Sequence, residues 1–165
     1  MDSESKLYLE RANNEIKLAD IIKILSQDRN MQLNIFKISE PETYFSAVIT
    51  HSYYAIFYSA KAYLLQKGIK TKMPNEHRKT FREFRRFVKE GVLDKELLRI
   101  YEEVLVRAES LLSIFALEKG KRGRFTYEKL PQANMPPANE SLNNASLFFK
   151  TISRVLVKLD APKSY

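Results

Sequence analysis

Residues 43–67, TYFSAVITHSYYAIFYSAKAYLLQK, decide the fold. At about 100° per residue, Ser52, Ala55, Ser59 and Ala62 fall within about 80° of one another, so they line one side of a helix. Small side chains in one stripe let a neighbouring helix approach closely. Ile49, Tyr53, Ile56, Ala60 and Leu64 cover the opposite side, and only Thr50, Tyr54 and Lys61 leave a narrow polar strip. A helix apolar nearly all round is a central one. It carries so much apolar surface that a subunit interface is expected as well, and with it a homodimer. Ser39-Glu40-Pro41-Glu42 reads as its S-x-x-E capping box with proline in the first turn, and Gly68 as its stop.

Helical spacing continues on both sides of this segment. Upstream, Leu7, Ala12, Ile16, Ala19, Ile22 and Leu25 predict a helix over about residues 4–27, followed by a polar connection around 28–34. Downstream, a third helix starts after Pro74 with Asn75 as cap and stops near Gly91. Phe81, Phe84 and Val88 form its apolar stripe. Arg78, Arg82, Arg85 and Lys89 form a separate basic stripe about 60° wide, broadened by Arg86. Asp94 caps a fourth helix whose core face is Leu97, Tyr101, Val104, Leu105, Ala108, Leu111, Leu112 and Phe115. Glu103 and Arg107 make an i,i+4 pair on it in the favourable orientation. Residues 120–137, GKRGRFTYEKLPQANMPP, have loop composition and begin with a basic cluster, Lys121, Arg122 and Arg124. A loop this long is either functional or pinned by Phe125, Tyr127 and Leu130. A last helix covers about 138–159, with Leu142, Ala145, Phe149, Ile152 and Leu156 turned inward. The expectation is an all-α fold, an antiparallel up-and-down bundle of four to five helices forming a single domain over 1–165.

Composition agrees with that and narrows the chemistry. A chain of 165 residues without cysteine has no disulfide, no thiolate metal site and no thiol catalysis, which fits a reducing, cytoplasmic setting. No basic-then-apolar leader opens the sequence, and the longest mostly apolar run, 53–65, is too short to span a membrane. The net charge of +8 would attract phosphate or an acidic partner. Metal binding is not expected, because His51 and His77 are the only histidines and neither has a carboxylate three or four residues away. No cofactor is implied, since nucleotide-loop and nucleophile-elbow motifs are absent. Gly120-Lys121-Arg122-Gly123 matches the GXXG of an RNA-binding module, but that module needs strands, and none is expected here.

Each candidate residue has a plain reading beside the functional one. The stripe Arg78, Arg82, Arg85, Arg86 and Lys89 reads either as a solvated face or as a phosphate-contacting surface, joined by Lys121, Arg122 and Arg124 if the loop folds back. His51 reads first as a hydrogen-bonded internal histidine, His77 as a packing and capping one, and Arg107 as the partner of Glu103. Tyr53, Tyr54, Tyr58 and Tyr63 read as packing residues rather than base-stacking ones.

Together these segments resemble the HEPN family (higher eukaryotes and prokaryotes nucleotide-binding domain). The resemblance rests on residues 44–69, YFSAVITHSYYAIFYSAKAYLLQKGI, on residues 76–91, EHRKTFREFRRFVKEG, on the helix with Arg107 and on the closing helix. It implies a helical bundle, commonly homodimeric, often partnered by a minimal nucleotidyltransferase. Many members are metal-independent RNases of toxin or defence type, with arginine, four to six residues, then histidine as the catalytic signature. In such chemistry the arginine stabilises charge on phosphate and the histidine moves a proton during attack by the 2′-hydroxyl. Arg107 matches the arginine, but the window for the histidine, residues 112–114, holds none. Leu111 and Leu112 also stand where a common subfamily has an Asp-Tyr pair. The resemblance therefore implies a non-catalytic homodimeric binding or regulatory module, pairing with a nucleotidyltransferase or binding nucleotide or RNA phosphate. The alternative is an RNase using Arg107 with an unconventional base, for which His77 is the candidate.

Overall fold

The computed structural model describes residues 1–119 and 135–160, with the side chains of 112–119 excepted. Every regular element among the described residues is helical: α1 (Ser3–Gln27), a π-helical turn (Met31–Ile35), α2 (Phe45–Gln66), α3 (Glu76–Lys89), α4 (Lys95–Lys119) and α5 (Met135–Asp160). No helix among the described residues is long and apolar enough to cross a membrane.

The four long helices alternate in direction. Tyr8 meets Tyr58, Glu15 meets His51 and Ser26 meets Tyr44, so α1 and α2 are antiparallel. Tyr101 meets Phe148 and Arg107 meets Glu140, so α4 and α5 are antiparallel as well. The short α3 departs from the alternation. Its first turn lies beside Tyr53 and Lys61 and its last turns beside Tyr63, so it runs in the same direction as α2. The segment between them therefore doubles back along α2 and sets His77, an exposed residue, beside Tyr53 and Phe57 at the level of the middle turns of α2.

α2 is the central helix, as its sequence predicts. Val48, Ile49, Ala55, Ile56, Ala60, Ala62 and Leu64 are fully buried. Its small residues, and Ser5, Ala12, Ala19 and Ser26 of α1, are buried too, and these two helices share the most extensive packing in the molecule. The hydroxyls of Ser52 and Ser59 donate back to Val48 O and Ala55 O, each at 2.7 Å, so burial leaves neither polar group unpaired. One chain thus buries most of the apolar surface of α2, with Tyr54 and Tyr58 partly exposed. Lys61, on the expected narrow polar strip, is buried at 8% exposure, with Glu76 of α3 as its counter-charge.

Both predicted glycine stops hold. Gly68 and Gly91 have φ of 76° and 75°. Ile69 and Gly68 donate to Leu64 O and Leu65 O, and Val92 and Gly91 donate to Phe87 O and Val88 O. These are paired Schellman bonds, and they need a residue comfortable at positive φ. The predicted capping box does not form. α2 begins at Phe45, three residues past Glu42, and the Tyr44 amide donates to Ser26 Oγ at 2.9 Å instead. A partner on α1 has replaced the local cap. Asn75 does precede α3, but in the left-handed region and without a side-chain cap bond. Asp94 caps α4 as expected, accepting from Glu96 N at 2.8 Å. The expected polar connection at 28–34 contains the π-helical turn, ordered around the buried Gln32, whose amide donates to Leu25 O and Glu42 O. In α5 the buried phenylalanine is Phe148, which meets Phe84 and Tyr101, rather than Phe149.

Candidate functional site

His77 lies at the meeting of α2, α3 and α4. Its ring stacks on Phe57 at 3.9 Å between centroids and 12° between planes, with Tyr54 edge-on to it. Its Nδ1 shares a hydrogen bond with the Tyr53 hydroxyl at 2.8 Å. It packs as expected but caps nothing. Desolvation lowers its pKa, Glu76 opposes that and Lys61 adds to it. Burial pushes the Tyr53 phenol far up, with Tyr54 and Glu109 adding to the effect. At neutral pH the pair is therefore a neutral imidazole and a neutral phenol. The second imidazole nitrogen has no partner among the described residues. The His77 residue borders a cavity of about 560 Å³ lined also by Tyr53, Met73, Phe81 and Leu105, with Asn75, Glu76, Arg78 and Glu109 as its polar part.

The basic stripe of α3 continues from that cavity. Arg78, Arg82, Arg85, Arg86 and Lys89 lie along its outer side. Arg82 and Arg86 lie near Glu83 at 3.5 and 3.3 Å, and Arg86 also near Glu90 at 3.7 Å. Arg78, Arg85 and Lys89 have no carboxylate partner among the described residues. Arg78, Lys79, Arg82 and Arg85 line a groove of about 420 Å³ with Phe81. Groove and cavity share Asn75, Arg78 and Phe81, so they are neighbours on the surface. The other predicted cations, Lys121, Arg122 and Arg124, lie outside the described residues, as do Phe125, Tyr127 and Leu130.

Arg107 occupies a different place. One guanidinium nitrogen donates to Glu103 at 2.8 Å and to Glu140 at 2.6 Å, and another to Ser141 Oγ at 3.3 Å. Arg99 holds the other oxygen of Glu103 at 2.9 Å. The result is a charge network joining α4 to α5 beside a separate cavity of about 530 Å³. Leu105 and Glu109 reach the His77 cavity, and they lie about 160–200° around α4 from Arg107. Within one chain the structure does not bring Arg107 and His77 into one cavity. His51 is half-buried, and its Nδ1 contacts Glu15 Oε2 at 2.6 Å, a bond between helices as expected of an internal histidine.

Sequence reasoning missed Glu109, Glu140 and Ser141. Only the Glu103–Arg107 spacing was a readable signal. Glu140 and Ser141 come from α5, more than 30 positions away, and no local pattern announces them. Glu109 could have been found as the carboxylate one turn beyond Leu105 on the face toward α3.

A family model for the HEPN domain matches residues 30–113. That span holds α2, α3 and most of α4, and with them the cavity, the groove and Arg107. No curated protein and no solved structure matches the chain.

Proposed function

The chain belongs to the HEPN domain family, and from that premise we propose that it is a non-catalytic module that binds the phosphates of RNA or of a nucleotide through α3. The observation that carries this reading is the groove of Arg78, Lys79, Arg82 and Arg85, in which Arg78 and Arg85 have no carboxylate partner among the described residues. Unneutralised guanidinium groups along one side of a helix suit successive phosphates, and Arg is the residue for forked bonds to them. The state of Arg107 supports the non-catalytic part, because its donors already face two carboxylates.

The experiment is titration of a labelled single-stranded RNA at several salt concentrations. Each phosphate that the protein no longer neutralises should reduce the salt slope by about 0.7. Arg78→Gln with Arg85→Gln should weaken binding at least about tenfold and flatten the slope by about 1.4. Unchanged binding in that double variant overturns the reading.

The proposal includes a homodimer and a nucleotidyltransferase partner. The dimer draws its support from Leu18, Ile21 and Ile24, exposed along one side of α1, rather than from α2. Light scattering that gives only the 19.3 kDa chain mass overturns it. The catalytic alternative has one observation in its favour, the unpartnered second nitrogen of His77. RNA cleavage in the presence of chelator, abolished in both Arg107→Ala and His77→Ala, would establish it. Intact RNA removes it.

A further inference from the structure

We infer that the His77 cavity is a base-reading subsite of the α3 groove, with Glu109 as the residue that sets its preference. The inference rests on the phosphate-binding reading of that groove.

The two depressions adjoin at Arg78 and Phe81, which line both, and they differ in chemistry. The groove is cationic. The cavity is walled by aromatic and apolar side chains, Tyr53, Phe81, Met73 and Leu105, and its about 560 Å³ is room for one flat heterocycle. Because Arg78 lines both depressions, a phosphate held by Arg78 has its own base next to this cavity. Flat rings gain by stacking on aromatic side chains, which works for every base.

Selection between bases needs polar groups, and beside the cationic Arg78 the cavity lining carries Glu109 and His77. Glu109 lines the same cavity as Tyr53, is exposed, and has no ion-pair or hydrogen-bond partner among the described residues. An ionised carboxylate only accepts hydrogen bonds. It therefore favours a ring that presents adjacent N–H donors, and guanine does so with N1–H and N2–H. Uracil offers a single N–H flanked by two carbonyl oxygens, which a carboxylate repels. The free nitrogen of His77 is a second polar group, available as donor or acceptor according to tautomer. The chemistry selected is a guanine-type ring joined to phosphate, whether as an unpaired residue of an RNA or as a free nucleotide.

The test uses the full chain and three probes: a uridine octamer, the same octamer with one central guanine, and guanosine monophosphate. The guanine-bearing octamer should bind at least about tenfold tighter than the uridine octamer, the discrimination of one good bidentate pair. Glu109→Ala should erase that preference while binding of the uridine octamer stays equal or rises slightly through removal of a negative charge. Retention of the preference in Glu109→Ala, or its absence in the unaltered chain, overturns the inference. If both octamers bind alike and both weaken in Arg78→Gln, the base-reading inference fails and the phosphate reading stands. If neither octamer nor guanosine monophosphate binds, both fail. Binding of guanosine monophosphate in a Glu109-dependent manner assigns the site to free nucleotide as well as RNA, and its absence beside a guanine preference assigns it to RNA alone.

Discussion

Arg107 and Glu140 stand 33 residues apart in the chain and 2.6 Å apart in space, and their ion pair ties α4 to α5 next to Glu103. The Arg107 side chain is only 19% exposed, so water screens this pair less than it screens an ordinary surface one. Arg107→Ala leaves Glu103 and Glu140 without their shared cation and Ser141 without its donor. Hydrogen bonds to charged groups contribute about 1.5–3 kcal/mol, and Glu140 is half exposed, so a decrease in stability of about 1–2 kcal/mol is expected. Urea denaturation of Arg107→Ala, Glu140→Ala and the double variant measures it. A coupling below about 0.3 kcal/mol would show the pair to be incidental.

Lys61 and Glu76 give a larger and asymmetric effect. The Lys61 ammonium is paired with Glu76, donates to the Tyr8 hydroxyl at 2.7 Å and lies over the Tyr8 ring. Burial works against its charge, but the bonds to Glu76 and Tyr8 overcome that and raise its pKa. Glu76→Gln leaves a buried cation without a counter-charge, which costs about 2–3 kcal/mol given the partial exposure of both groups. Lys61→Met removes the charge and keeps the packing stem, at a cost of about 1 kcal/mol. Thermal unfolding that ranks the two variants in the opposite order would contradict this account.

Tyr101 offers a change in the stabilising direction. Its side chain is fully buried among Phe81, Phe84 and Phe148, and its hydroxyl has no partner among the described residues. Desolvation raises its pKa well above that of an ordinary tyrosine. A buried hydroxyl without a hydrogen bond has given up its water with no replacement, and removing it recovers that penalty. Tyr101→Phe should raise stability by about 0.5–1 kcal/mol in urea denaturation. A decrease of similar size would mean that the hydroxyl has a bonded water.

Periodicity made the helices legible because each buries one face. Ala12, Ala19, Ile56, Val104 and Ile152 are fully buried where a repeat near 3.6 residues puts them. The glycine stops were legible because a positive φ is a backbone demand that one residue type meets best. The capping box failed for the opposite reason: several groups can satisfy an amide, and Ser26 on another helix won. The family resemblance, from the aromatic and small-residue pattern of residues 44–69, is borne out by the matching domain model. The direction of α3 was not legible. It follows from where residues 67–75 turn back, and no hydrophobic repeat encodes that. For the same reason the candidate site was read in pieces. His77 and the arginine stripe were visible one by one, while the neighbouring of cavity and groove at Phe81, and the company of Glu109, exist only once α3 lies along α2 against α4.

His77 carries the last prediction, a pH dependence with a definite sign. Desolvation holds its folded pKa below the ordinary value of 6.5, with Lys61 helping and Glu76 opposing. In the unfolded chain the imidazole takes its proton near 6.5, and in the folded chain only at lower pH. Above 6.5 neither state is charged and the residue contributes nothing to the pH slope. Below it the unfolded chain binds more protons, so acidification through 6.5 destabilises the fold, and the effect is complete only under the folded pKa. The two-dimensional NMR signals of the His77 ring should titrate below pH 6.5. In His77→Phe, which keeps the stack on Phe57, the stability curve between about pH 7 and 5 should be flatter than in the unaltered chain. A ring that titrates at or above 6.5 would mean that desolvation does not keep His77 neutral, and the neutral imidazole at the cavity would have to be abandoned.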